Sequence, residues 1–254
     1  MRALKTVILS AALALGIGGT ALASGGVHIP AQDWPHSGVF GTIDKQSAQR
    51  GFQIYKEVCS SCHSMRLVPI RTLAGIGFTE DQIKDIAAGY DVTDGPNDAG
   101  EMFQRPGVSA DRFPKPFPND NAARAANGGA LPPDLSLIAK ARVGGEDYLY
   151  AFLTGFEDPA PADVTLMPGM NYNKYFPGHQ VGMPNILMPD GVTYADGTKA
   201  TVEQQAHDIA TFLTFVAEPH LDARKQMGVK VILFLIVFAG LMYATKRQLW
   251  SGLH

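Results

Sequence analysis

The only two cysteines of this 254-residue chain lie three positions apart, in Cys59-Ser60-Ser61-Cys62-His63. That spacing constrains the fold more than any other feature. Two thiols one turn apart can add to the two vinyl groups on one edge of a porphyrin, and the adjacent histidine then stands under the iron. Covalent attachment places a haem c on this turn, and the rest of the chain must wrap it. Three other chemistries use similar patterns. A dithiol redox pair sits at a helix start after a strand, whereas residues 44–58 read as helix before the motif. A zinc site needs a second pair of ligands. A disulfide across two intervening residues is strained. The motif therefore assigns Cys59 and Cys62 to thioethers and His63 to the proximal ligand.

The two ends of the chain read as separate from the haem domain. Arg2 and Lys5 precede an apolar run from Val7 to Leu15, followed by Ala21-Leu22-Ala23. A charged start, a short apolar core and a small-x-small site form a secretory signal peptide over residues 1–23, leaving Ser24 first in the mature chain. Near the other end, Met227 to Thr245 gives 19 mostly apolar positions. At 1.5 Å per residue they reach about 28 Å, the thickness of a bilayer core. Lys230 lies one turn from its boundary and can snorkel. The expected division is a head over 24–223, an anchor with its flanks over 224–248, and a tail over 249–254. All 24 acidic residues fall in the head, whereas seven of the 21 Lys and Arg lie outside it, so the head carries a formal charge of −10. Such a surface does not suit nucleic acid; it suits a basic protein partner.

Within the head the pattern is mostly α, with long irregular loops. Residues 43–58 form a helix that exposes Gly51 to a crossing neighbour. Thr79-x-x-Gln82 is a capping box for a helix ending at Gly89. A loop rich in Pro, Gly, Asn and Asp covers residues 90–127. A short helix over 145–154 turns Tyr148, Leu149 and Phe152 inward. A second long loop, 156–199, holds three Met-Pro pairs and a small hairpin around Val192–Tyr194. The last helix of the head starts at the Thr201 capping box and stops at Pro219. The first and last of these helices cross near Gly51.

A haem with histidine below takes a second ligand or leaves an open site above. Methionine there makes an electron carrier; an open site makes a ligand binder or peroxidase. Met102, Met167, Met170, Met183 and Met188 are the candidates, and the chemistry favours the Met-rich 167–188 loop. His179 and His207 compete, with His207 read as a surface histidine. Spacing does not choose among them.

The chain resembles the cytochrome c1 family, the haem subunits of cytochrome bc1 complexes. The resemblance rests on Cys59 to His63, on Ala122-Ala123-Arg124-Ala125-Ala126-Asn127 through Leu131-Pro132-Pro133-Asp134-Leu135-Ser136, and on Gly144-Gly145-Glu146-Asp147-Tyr148. It continues through Tyr175-Phe176-Pro177-Gly178, Val181-Gly182-Met183-Pro184 and Ala217-Glu218-Pro219 to the single C-terminal anchor. It implies Met183 as the axial ligand, Arg124 as a contact of a haem propionate, and Pro132 and Pro133 as packing beside the haem. It also implies one-electron transfer from the Rieske iron–sulfur protein to a soluble or membrane-anchored c-type cytochrome. Quinol chemistry then belongs to cytochrome b, in a dimeric complex of a bacterial inner membrane. The head would lie in the periplasm and the tail in the cytoplasm. Asp91, Asp94, Asp98, Glu101, Glu157, Asp158 and Asp163 are candidate docking charges. Two features depart from the family pattern. Pro184 stands alone after Met183, and no second cysteine pair braces that loop.

Overall fold

The computed structural model describes residues 27–252, so the signal-peptide assignment lies outside the described residues. Two helices form the centre of the head. Helix α1 (Lys45–Glu57) starts at Asp44, whose carboxylate accepts from the N–H groups of Gln46 and Ser47. The last helix of the head, Val202–Ala217, starts at Thr201, whose hydroxyl accepts from the N–H of Gln204. From Ile209 to Ala217 that helix is buried on every side, as expected of a central core helix. The two cross where the sequence placed the crossing. A Cβ at Gly51 would stand 2.6 Å from that of Phe212 and would strike the Asp208 carbonyl. Only glycine allows the approach.

The crossing is also pinned electrostatically. Asp208 is 0% exposed and accepts from Arg50 Nε at 2.8 Å, Arg50 Nη2 at 2.9 Å, Ser47 Oγ at 2.7 Å and Gln204 Nε2 at 3.0 Å. Hydrogen bonds donated to Asp208 raise the pKa of the Arg50 guanidinium above its ordinary value, outweighing the opposing effect of burial.

The other elements wrap this pair. Helix α2 (Glu80–Ala88) carries the expected capping box, with Thr79 and Gln82 each satisfying the other's N–H. Strands β1 (Asp91–Asp94) and β2 (Phe103–Pro106) pair antiparallel, and α3 (Asp120–Ala126) follows. Helices α4 (Ile138–Ala141) and α5 (Gly145–Thr154) pack on the last helix of the head. Strands β3 (Asn171–Tyr172) and β4 (Gln180–Val181) form a second, minimal ribbon. In chain order the last helix of the head is α6, and α7 (Leu221–Trp250) follows. The architecture is mostly helical, with short strands and long irregular loops.

Helix α7 is long and apolar enough to cross a membrane, and its side chains are exposed from Lys230 to Trp250. Its 30 residues rise about 45 Å, longer than the apolar run because its first turn belongs to the head. Leu221 is buried, and Asp222 accepts from the N–H of Ile43 at 3.1 Å.

Three expectations differ from the structure. Residues 90–127 are not one loop, because β1, β2 and α3 lie within them. The ribbon is held by Arg105, which pairs with Asp94 and, at 2.7 Å, with Asp111. Val192–Tyr194 forms no hairpin. Val192 and Tyr194 both point into the core, and Gln53 Nε2 donates to the Thr193 carbonyl at 3.0 Å, a role a partner strand would otherwise fill. His207 is no surface histidine. Its ring stacks on Trp34 at 4.7 Å, and burial lowers its pKa.

Candidate haem-binding site

The Cys-x-x-Cys-His segment leaves α1 through a 3-10 turn, Cys59–Ser61. The Cys59 carbonyl accepts from the N–H groups of both Cys62 (3.1 Å) and His63 (2.9 Å), so all three side chains leave one tight turn. The two thiols are not bridged to each other. Burial, with Cys62 close by, pushes the Cys59 thiol up to about 12. A dithiol oxidoreductase needs the opposite shift on its attacking thiol, so Cys59 is not poised for thiol exchange.

His63 is held through its outer nitrogen. Nδ1 lies 2.8 Å from the carbonyl of Pro133, and Nε2 has no hydrogen-bond partner among the described residues. Burial lowers the pKa of the ring, against weaker opposing effects of the Pro133 carbonyl and Asp134. The result is a neutral imidazole whose Nδ1–H donates to a carbonyl and whose Nε2 lone pair faces away. Metal-bound histidines are oriented in this way by their second shell. The donor set therefore fits a c-type haem: two unbridged thiols on one turn and a tautomer-fixed imidazole next to them.

The segment Ala130–Ser136 holds the turn from outside. Two consecutive prolines stiffen its backbone and bring the Pro133 carbonyl to His63. Asp134 fastens the next step. Its carboxylate accepts from Ser64 Oγ at 2.7 Å and from the N–H groups of Arg66 and Ser136, both at 3.0 Å. Burial raises its pKa, but the hydrogen bonds from Ser136, Arg66 and Ser64 outweigh that and hold it below the ordinary carboxylate range. Leu135 N–H donates to the Ser64 carbonyl at 2.8 Å, and Leu67 N–H to Ser136 Oγ at 3.0 Å. Asp134 and its serines had no role assigned from sequence. The Asp-x-Ser spacing of an Asx turn was the available signal. Asp134→Ala should cost about 1–3 kcal/mol, from three hydrogen bonds lost to a charged acceptor, two of them part-buried, read as a lower denaturation midpoint of the haem-loaded protein.

The same segment meets the methionine loop. A Cβ at Gly182 would stand 3.0 Å from that of Ala130, so Gly182 lets the two strands of chain touch. Met183 follows at once and is half-buried, directly after the β3–β4 ribbon. Its rivals fare differently. Met102, Met167 and Met188 are exposed. His179 turns back on its own loop, with Nδ1 3.2 Å from the Asn173 carbonyl and its ring stacked on Tyr172. Met170 is half-buried, in the turn just before β3. Arg124 is exposed on α3, and its Nη1 donates to the Gly129 carbonyl at 3.1 Å. Pro132 is half-buried and Pro133 exposed.

The family model for the Cytochrome C1 family matches residues 34–253. The chain belongs to the cytochrome c1 family. Its relatives include the cytochrome c1 of Rhodospirillum rubrum, 47% identical over 97% of this chain and 96% of that protein. The mitochondrial cytochrome c1 heme protein of Saccharomyces cerevisiae is 47% identical over 90% of this chain and 74% of its own length. A cytochrome b/c1 of Bradyrhizobium diazoefficiens is 49% identical over 89% of this chain, which spans only 36% of that longer protein. Cytochromes c1 are electron-transfer haem subunits of the bc1 complex and hold haem c covalently through cysteine. Cys59 and Cys62, the only cysteines here, are the attachment points.

Proposed function

We propose that this subunit takes one electron at a time from a Rieske iron–sulfur protein and hands it to a c-type cytochrome, soluble or membrane-anchored. The observation that carries this reading is the Ala130–Ser136 segment. One end of it fixes the His63 tautomer through Pro133, and the other packs on Gly182, next to Met183. That arrangement suits a closed, six-coordinate carrier with His63 and Met183 as the axial pair. Bound haem c supplies the one-electron couple. The residues of this chain fix its ligands, exclude water and present charge to partners. Methionine opposite histidine raises the potential, which suits a carrier downstream of an iron–sulfur donor. Arg124 would pair with a propionate, since a guanidinium matches a carboxylate bidentately. Pro132 and Pro133 would pack beside the haem on the His63 side. No acid–base chemistry is required of the chain.

Cytochrome b is the proposed neighbour for α7, supported by the Bradyrhizobium diazoefficiens relative whose name joins the two cytochromes. A dimeric complex follows from the same reading. The head, 24–223, would lie in the periplasm after removal of residues 1–23. The anchor and its flanks would be 224–248, and residues 249–254 would lie in the cytoplasm. The acidic docking set narrows, because Asp94 is engaged by Arg105, which also lowers its pKa. Asp91, Asp98, Glu101, Glu157, Asp158 and Asp163 remain exposed.

Two measurements test the proposal. The reduced protein should show a six-coordinate low-spin spectrum and bind no CO; CO uptake by the native reduced protein would favour an open-site enzyme instead. A tag on the C-terminus should bring down cytochrome b and the Rieske protein together. Recovery of the chain without either would point to a stand-alone anchored cytochrome.

A further inference from the structure

We propose that the turn from Pro35 to Thr42 is a second membrane contact, with Val39 and Phe40 inserted into the lipid interface beside the anchor. The inference rests on α7 crossing a bilayer and not on the redox reading. Phe40 is 83% exposed and Val39 61%, whereas the next most exposed aromatic residue of the head, Phe103, is 42% exposed. An isolated exposed apolar residue is ordinary. What sets this pair apart is where the chain holds it.

The turn is fastened to the first two turns of α7 at two levels. Ile43 N–H donates to Asp222, and Lys225 Nζ donates to the carbonyls of His36 and, at 3.2 Å, Gly41. Going back along the chain from Ile43 to Gly41 therefore runs parallel to going forward along α7 from Asp222 to Lys225. Both lead toward the apolar run. Lys225 precedes Met227, where that run begins, by only about 3 Å of helix rise. Phe40 adjoins Gly41, whose carbonyl is held by Lys225 close to where the anchor leaves the head.

The turn is also built to stay shut. Ser37 N–H donates to the Trp34 carbonyl at 2.9 Å, and Thr42 N–H to that of Pro35 at 3.2 Å. A Cβ at Gly41 would stand 2.7 Å from the Pro35 carbonyl oxygen, and Gly38 has φ +69°, so both positions favour glycine. Trp34 at its base is tied to α5 by Nε1 donating to Asp147 at 2.7 Å. A turn that rigid cannot fold Val39 and Phe40 back onto the head. Lys225 is committed to carbonyls of the turn and the neighbouring Arg224 is paired with Glu218, so neither is a free cation at this level. Exposed apolar side chains such as Val39 and Phe40 bury at the boundary between headgroups and acyl chains, and the continuity of this turn with the membrane-spanning helix selects lipid as the occupant.

The test uses the full-length, haem-loaded chain in phosphatidylcholine nanodiscs. Both native cysteines are consumed by the haem, so Phe40→Cys provides a single thiol for bimane labelling. Ala99→Cys, in the exposed β1–β2 connection, and Leu235→Cys, within α7, are the references. Fluorescence in brominated lipid is divided by that in ordinary lipid, which cancels quenching by the haem. The label at 40 should lose several-fold more intensity to bromine than the label at 99, and be correspondingly shielded from iodide in water. Equal behaviour at 40 and 99, with 235 quenched, overturns the proposal while leaving the anchor in place. Absence of quenching at 235 removes the anchor and the proposal with it. Shielding at 40 that appears only when cytochrome b is present overturns lipid as the occupant and makes the turn a protein contact.

Discussion

Replacing Met183 by leucine should lower the reduction potential by a few hundred mV, within the roughly 0.8 V that axial ligands command. Leucine is close in volume and apolar character, though branched and shorter, and it has no sulfur to offer as a ligand. Gly182 should still pack on Ala130 and the β3–β4 ribbon should still form, so the packing part of the stability change should be less than about 1.5 kcal/mol. On the proposed ligation the loss would be electronic: a thioether favours the ferrous state, and without it the iron would take water, a stronger ligand or none. The Met–iron charge-transfer band should disappear, and the reduced protein should begin to bind CO. Met188→Leu is the control. Met188 is exposed, and its backbone carbonyl, not its sulfur, is the group in use, accepting from Gln205 Nε2 at 2.7 Å. An unchanged potential in Met183→Leu, with a fall in Met188→Leu or Met170→Leu, would move the ligand elsewhere in the loop.

The attachment half of the site was legible because its chemistry is local. Cys59, Cys62 and His63 must share a turn, and a turn is a matter of spacing. The opposite half is not local. Five methionines satisfied the chemical requirement, and nothing in the spacing of Met102 or Met170 set them apart from Met183. Family resemblance singled out Met183. The structure adds that Gly182 is pressed against Ala130, a contact between residues 52 positions apart. The Asp134 network was missed for a related reason. Its acceptor lies in one segment and two of its three donors, Ser64 and Arg66, in another.

The fold shows the same division. Helices α1, α2 and α6 could be read closely because their caps, Asp44, Thr79 and Thr201, act within three residues. Gly51 even located the crossing. The β1–β2 ribbon was hidden because its strands carry charge rather than alternating apolar residues. Their pairing is held by Arg105 between Asp94 and Asp111. The converse error occurred at Val192–Tyr194, where the flanking Asp190-Gly191 and Asp196-Gly197 pairs suggested a hairpin, but Val192 and Tyr194 enter the core with no second strand alongside among the described residues. His207 was misplaced because Trp34, which covers it, is 173 positions away in the chain.

Arg50→Met should produce the largest loss of stability, about 3–5 kcal/mol. The size follows from what is left behind. Asp208 is wholly buried, and Arg50 supplies two of its hydrogen bonds and its only countercharge among the described residues. Methionine fills the same space without charge, so Asp208 must either stay ionised and unpaired or take up a proton. For a head of this size the midpoint of thermal unfolding should fall by about 6–20 °C, with the haem still attached through its thioethers. Asp196 offers the internal comparison. Its carboxylate lies 3.0 Å from Nη1 of the same guanidinium, but its side chain is 44% exposed. Asp196→Asn should therefore cost no more than about 1 kcal/mol. Converting both partners, Arg50→Met with Asp208→Leu, should recover much of the loss, because the buried charge goes with its counterion. The recovery should be incomplete, since Ser47 Oγ and Gln204 also donate to Asp208 and lose their acceptor. If Arg50→Met melts within about 1 kcal/mol of the native protein, close packing at Gly51 rather than the buried ion pair holds α1 to α6, and the haem turn at the end of α1 is positioned by shape alone.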